Sequence, residues 1–183
     1  MSSKSIWING SPNLNGFTMG VAKEVLKSYD IKRYDSYQVN VNSCDDCKVC
    51  HYKLGCKFND DHTKIIEDLK IANTLILTTP IYFGAMTDQL LKIINRFQSL
   101  FERKFTHNTH DIAIDNLIVI STCASDDTSM FDGLKLTIRI LEKLFSVKNT
   151  FTLLLGNTDQ VNPLNTEEST IKSFQETIKK ALH

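Results

Sequence analysis

Four of the five cysteines stand close together: Cys44, Cys47, Cys50 and Cys56, in the spacing C-x2-C-x2-C-x5-C. Thiolates this near one another can reach a single metal centre, and C-x2-C-x2-C is the spacing that ferredoxin-like runs use for iron–sulfur clusters. Structural zinc accepts the same four donors, although zinc ribbons arrange them as two separate pairs. Cys47-Lys48-Val49-Cys50-His51 also reads as C-x-x-C-H, a haem attachment signal, but that chemistry belongs to an oxidising compartment. A loop of metal-free thiols that touches a partner is the remaining reading.

A second stretch, Lys4 to Thr18, has the composition of an anion cradle. The apolar run Ile6-Trp7-Ile8 ends in Asn9-Gly10-Ser11-Pro12, and Gly16-Phe17-Thr18 opens a helical pattern. Strand, small-residue loop and helix start together aim several backbone N–H groups and a helix dipole at one point. Ser11, Asn13, Asn15 and Thr18 add side-chain donors. Gly10 and Gly16 are expected to supply positive φ angles and close approach. The cradle is not a P-loop, because five residues separate its glycines and Phe17 stands where the lysine belongs. An ordinary βα turn is the alternative for this stretch alone.

Two further stretches carry weaker signals. Pro80-Ile81-Tyr82-Phe83-Gly84 reads as a proline-stiffened turn whose aromatic residues suit a flat ring or plain core packing. Thr122 to Ser129 is small and polar. Within it, Cys123 reads as a small buried hydrophobe. His107 and His110 read as solvated surface, His62 as structural or exposed at a helix start, and Phe101–Lys104 as a solvated face or a subunit contact.

The elements that must position these residues follow from periodicity. Thr18, Ala22, Val25, Leu26 and Tyr29 share one helical face, and Ile31 to Val41 alternates as a second strand. Asp60 or Asp61 caps a helix lined by Ile65, Ile66, Leu69 and Ala72. Thr74 to Thr78 reads as a buried strand stopped by Pro80, followed by a loop to Met86. Thr87 then caps a helix whose inner face carries Leu90, Leu91, Ile94 and Phe97. Phe101 to His110 reads as an exposed excursion, and Asn116 to Ser121 as the next strand. Leu134, Ile138, Leu141 and Phe145 form a helical stripe before a last strand, Thr150 to Leu155. Asn165 or Thr166 caps a final helix with Glu167 and Glu168 in its first turn and Ile171, Phe174, Ile178 and Leu182 on its buried line.

Five strands alternating with five helices predict an α/β fold. We expect a flavodoxin-like three-layer sandwich with a five-stranded parallel sheet in the order 2-1-3-4-5, as one domain over residues 1–183. That order brings loops 10–18, 80–86 and 122–130 to one sheet edge. Together they suit flavin mononucleotide (FMN) better than a nucleoside triphosphate.

Composition narrows the classes. Lys plus Arg and Asp plus Glu number 21 each, so no basic excess points to nucleic acid. No apolar run approaches membrane-spanning length, and MSSKSIWING lacks a signal-peptide core. A cytoplasmic protein is expected, with its cysteines as thiols or metal ligands.

Three segments in order, GSPNLNGFT, CDDCKVCHYKLGCKFNDD and TPIYFGAMTDQLLKIINRF, resemble the NADPH-dependent FMN reductase and iron–sulfur flavoprotein superfamily. They run from residue 10 to 97. The resemblance implies that Ser11, Asn13, Asn15, Gly16, Phe17 and Thr18 hold the FMN phosphate. It implies that Pro80, Ile81, Tyr82, Phe83 and Gly84 border the isoalloxazine and ribityl chain, and that Thr122, Cys123, Ala124 and Ser125 complete the ring pocket. The chain departs from the family at Asn13-Leu14, where a basic residue is often found. The implied activity is an FMN-dependent NAD(P)H oxidoreductase with a quinone, nitro or azo compound, free flavin or metal as acceptor, and chemistry borne by the cofactor. The alternative is an iron–sulfur flavoprotein in which Cys44, Cys47, Cys50 and Cys56 hold a [4Fe–4S] cluster that exchanges electrons with FMN and a redox partner protein. A flavin-binding or redox-sensing module without turnover is a third reading. By resemblance, a homodimer or homotetramer is expected.

Overall fold

The computed structural model describes residues 5–110, 112–159 and 168–182. The elements are β1 (Ser5–Asn9), α1 (Phe17–Leu26), β2 (Lys32–Asp35), α2 (Val49–Tyr52), α3 (Asp61–Leu69), β3 (Thr74–Tyr82), β4 (Ala85–Met86), α4 (Asp88–Arg96), α5 (Gln98–Phe105), β5 (Asn116–Thr122), α6 (Asp132–Phe145), β6 (Asn149–Leu155) and α7 (Glu168–Leu182). A 3₁₀ turn, Thr128–Phe131, leads into α6.

Five strands are parallel in the order β2-β1-β3-β5-β6. Counted among themselves, they follow the expected 2-1-3-4-5. A sixth, β4, pairs antiparallel with the end of β3. The central strands are apolar on both faces, as a sheet covered by helices on both sides requires. Ile6, Ile8, Leu75, Leu77, Leu117 and Val119 pack into one core with Ile65, Leu90 and Leu134. Trp7, Ile76, Ile118 and Ile120 face the other way and pack with Val25, Ile171 and Ile178. The stripes on α6 and α7 are buried as the periodicity predicts. The Asn165 or Thr166 cap and Glu167 lie outside the described residues, as does Lys4.

Four features differ from expectation. β2 spans only Lys32–Asp35. On α4, Ile93 and Arg96 take the deep positions, while Leu91 and Ile94 are half-buried. β3 continues through Pro80 to Tyr82, so the stop and the loop expected at Pro80 are replaced by a strand and a hairpin. The Gly10 N–H donates to the Thr78 carbonyl (2.6 Å), which turns the peptide groups of Thr78 toward β1. Strand alternation turns those of Pro80 the same way, beyond the end of β1 at Asn9. The missing proline N–H therefore removes no ladder bond. Phe101 to His110, expected as an exposed excursion, begins within the helix α5 (Gln98–Phe105). No helix among the described residues is long and apolar enough to cross a membrane.

Candidate functional site

The cradle grows from a buried polar chain at the end of β1. Trp7 Nε1–H donates to Thr78 Oγ1 (2.9 Å), and the Thr78 hydroxyl donates to Asn9 Oδ1 (2.9 Å). Asn9 Oδ1 also accepts from the Ser11 amide (3.0 Å), and its Nδ2 donates to Asp35 (2.8 Å). Every polar atom of Asn9's side chain is thereby committed to fixing the start of the loop. Beyond it, Ser11 Oγ donates to the Asn13 carbonyl (3.1 Å), which also accepts from the Gly16 N–H (3.0 Å). Asn13 Oδ1 accepts from the Asn15 amide (3.0 Å). Asn13 and Asn15 thus shape the loop from exposed positions.

Neither cradle glycine has a positive φ; among described glycines only Gly55 and Gly84 do. The expectation of left-handed backbone at Gly10 and Gly16 is therefore corrected, and close approach alone explains Gly10. A Cβ there would stand 2.8 Å from Leu90 Cδ2, 2.9 Å from Leu90 Cβ and 3.0 Å from the Thr78 carbonyl. Thr87, expected as a cap, makes no side-chain capping bond to α4; its hydroxyl donates to the Gly10 carbonyl (2.7 Å) instead.

The cradle fits a phosphate-bearing group. α1 starts at Gly16 with no side-chain cap and no acid in its first turn, so its first amides lack acceptors and its dipole is uncompensated. Lys23, in the last turn of α1, donates to the Leu14 carbonyl (2.9 Å). It brings to the loop the positive charge that Asn13-Leu14 lacks, a contribution that sequence reasoning missed.

The third loop closes on the cradle. Thr18 and Thr122 share a buried hydroxyl–hydroxyl bond of 2.6 Å. Tyr82 and Ala85 pair across a two-residue hairpin in which Phe83 and Gly84 have φ of 50° and 74°, the backbone of a type I′ turn. Core packing is ruled out for the two aromatic residues, since Tyr82 is half-exposed and Phe83 fully exposed. A phenylalanine held left-handed carries about 1–2 kcal/mol of backbone strain. Ile81 instead packs into the core. Cys123 is buried as expected; its N–H donates to the Leu155 carbonyl (2.8 Å), and its own carbonyl accepts from Thr158. Ala124 is exposed, and the Ser125 hydroxyl accepts from the Asp127 amide (3.0 Å).

Cys44, Cys47, Cys50 and Cys56 all line one hollow, together with Phe58, Arg96 and Glu102. The donor set fits a four-thiolate centre in kind and number. Among the described residues, however, no three such groups converge at metal-binding separation. Burial, and next the Glu102 charge, push the Cys50 thiol up. Asp46 and Lys48, either side of Cys47, are both left-handed (φ 57° and 61°).

α5 holds this loop from outside. Glu102 bonds His51 (3.1 Å), and His107 Nε2 meets the Cys50 carbonyl (2.9 Å). His107 therefore belongs to the cysteine region, while His110 contacts Asn108. The Phe101–Lys104 segment is not a plain solvated face: Lys104 donates to the Lys143 and Leu144 carbonyls (2.6 and 2.9 Å) and caps α6. His62 is buried against Phe97. Burial, aided by the Arg96 charge, holds it down at about 4, so it is neutral at pH 7.

Comparisons with known proteins give the chain relatives and a shared fold. An iron–sulfur flavoprotein of Methanocaldococcus jannaschii is 29% identical over 102 residues, covering 53% of each chain. The matched region thus spans about half the length of the curated relatives. The fold is shared with an NAD(P)H:quinone oxidoreductase of Methanothermobacter marburgensis (TM-score 0.74, 15% identity, 100% of this chain and 98% of that one). It is shared also with an FMN-dependent NADH-azoreductase of Bacillus anthracis (TM-score 0.68, 14% identity, 99% and 100%). Residues 3–123, which carry the cradle, the cysteine loop and the aromatic hairpin, match the NADPH-dependent FMN reductase family, and the chain belongs to that family.

Proposed function

We propose that the chain is an FMN-dependent NAD(P)H oxidoreductase that passes electrons from a nicotinamide to a quinone, a nitro or azo compound, a flavin or a similar acceptor. The observation that carries this reading is the uncapped, acid-free start of α1 facing a tightly pinned loop at the edge of a parallel sheet. Family membership and the shared fold of a quinone oxidoreductase and an azoreductase support it. Ser11, Asn13, Asn15, Gly16, Phe17 and Thr18 would form the walls of the phosphate cradle, with the uncapped amides at the start of α1 as its donors. Pro80 to Gly84 border the ring, Ile81 by its backbone, and Thr122, Cys123, Ala124 and Ser125 close the far side. When bound, FMN would supply the two-electron redox chemistry between nicotinamide and acceptor. The residues named would orient the ring and shield it from water, with the exposed Tyr82 and Phe83 at its border. The unit acts as one FMN-binding domain, as a homodimer or homotetramer in the cytoplasm.

A second reading, an electron carrier with a [4Fe–4S] cluster beside FMN, is favoured by the convergence of all four loop cysteines on one hollow and by the iron–sulfur flavoprotein relatives. One anaerobic preparation tests both readings, with flavin, iron and sulfide assayed together and NAD(P)H oxidation followed. Stoichiometric flavin with turnover and no iron supports the reductase. Flavin with about four irons per chain supports the carrier, and Cys47→Ser should then abolish transfer. Failure to take up FMN refutes the cradle assignment.

A further inference from the structure

Arg96 is the largest fully buried side chain among the described residues, and nothing in the cradle uses its charge. Its side chain is 1% exposed, and that of its partner Asp60 is 5% exposed. Nη1 donates to the Asn42 carbonyl (2.9 Å) and to Asp60 Oδ2 (2.9 Å), and Nη2 to Asp60 Oδ1 (3.5 Å). Asp60 Oδ2 accepts in turn from the backbone N–H and the side-chain amide of Asn42 (2.9 and 3.0 Å). Burial raises Asp60, but the bonds from Arg96 and Asn42 outweigh it and hold the carboxyl at about 2. Asn42 lies two residues before Cys44, and Asp60 four residues after Cys56. One guanidinium therefore fastens both roots of the cysteine loop.

The clasp leaves one donor over. Arg96 Nε is buried and has no hydrogen-bond partner, an arrangement that proteins rarely tolerate without a reason. The guanidinium lies 4.9 Å from the centre of the Phe58 ring and lines the hollow shared by the four thiols. A centre bound by four thiolates is rich in negative charge and in sulfur acceptors, and N–H groups directed at those sulfurs set its potential.

We infer that Arg96 is a positioning residue of a four-thiolate metal centre, clamping both roots of the cysteine loop and reserving its Nε–H for a sulfur of that centre. The inference rests on the iron–sulfur reading of the loop. Lysine in place of Arg96 keeps the charge for Asp60 but loses the fork that also grips Asn42, and it loses the spare N–H. Asp60→Asn loosens the clasp while leaving the Nε–H in place.

The test reconstitutes the FMN-loaded full chain with ferrous iron and sulfide under anaerobic conditions, as wild type, Arg96→Lys and Asp60→Asn. Iron affinity, FMN content, melting temperature and the midpoint potential of the iron centre are read for each. Arg96→Lys should keep its FMN, bind iron about 10–100-fold more weakly, and show a lower midpoint potential for whatever iron it holds. Asp60→Asn should lose iron affinity with the potential near that of wild type. Wild-type affinity and potential in Arg96→Lys would overturn the inference. A wild type that takes up no iron overturns the iron–sulfur reading itself. Should either variant not fold, wild type loaded with ¹¹³Cd²⁺ decides by NMR: a coupling from the Arg96 Hε to cadmium through sulfur is expected, and an Nε–H resonance unchanged by loading refutes the role.

Discussion

The cradle and the cysteine loop are the two candidate sites of the chain, and they are built in opposite ways. In the cradle each turn is pinned to a strand end: Gly10 to β3, Ser11 to Asn9, Thr18 to Thr122. Its shape is set before any ligand arrives, because the sheet edge around it is already rigid. The cysteine loop has exposed residues from Asn42 to Lys48, a helix of only four residues, and a charge pair between Lys57 and Asp45 strung across it. Its order comes from its roots and from α5. A preformed site selects its ligand, whereas a loop with so little core of its own couples its folding to what it binds.

Acid should separate the two regions most sharply. His62, beneath the cysteine loop, lies near 4 in the folded chain against 6.5 unfolded. The unfolded state therefore binds its proton first as pH falls. Stability should be flat above pH 6.5 and drop by about 3 kcal/mol between pH 6.5 and 4. Below pH 3.8 the depressed Asp60 carboxylate adds a further loss as pH falls toward 2. Urea unfolding from pH 8 to 4 reads the slope, and His62→Leu should flatten it; an unchanged slope would assign the loss elsewhere. Gly10→Ala comes next, with overpacking against Leu90 and Thr78 costing about 2 kcal/mol and FMN retention falling at least tenfold. If iron uptake falls with it, the two regions are not independent. Thr18→Val removes the bond to Thr122 and should lower stability by about 1 kcal/mol, with weaker FMN binding and intact metal uptake. The smallest effect has the opposite sign: Phe83→Asn relieves the left-handed strain, gaining about 0.5 kcal/mol, while steady-state assays should show slower turnover with aromatic acceptors.

Much of the cradle was legible because its signals are local. A strand that ends in Asn-Gly-Ser-Pro and a helix that opens at Gly-Phe-Thr need only a window of neighbouring residues, and the stripes of α6 and α7 repeat at helical period. Gly10 was rightly singled out, but for the wrong reason: its constraint is the nearness of Leu90, eighty residues away in sequence, and not its own φ. Pro80 reads as a stop unless it is known that β1 has already ended beside it. Arg96 resembles a polar interruption of the α4 stripe, and nothing near it in sequence points to Asp60 or to Asn42. The His107 contact with the Cys50 carbonyl likewise joins segments with no shared periodicity. Pairings of this kind are products of the assembled fold.

α4 touches both regions. At its head the Thr87 hydroxyl holds the Gly10 carbonyl, and at its tail Arg96 holds the roots of the cysteine loop. With a rise of 1.5 Å per residue, the nine steps from Thr87 to Arg96 set about 13.5 Å between these anchor points. The helix therefore acts as a spacer of fixed length and fixed rotational phase. One residue inserted in its middle would lengthen it little, yet would swing Arg96 by about 100° around the axis and carry the guanidinium away from Asp60. In this chain, substitutions on α4 other than at Arg96 are expected to be tolerated far more readily than any change in its number of residues.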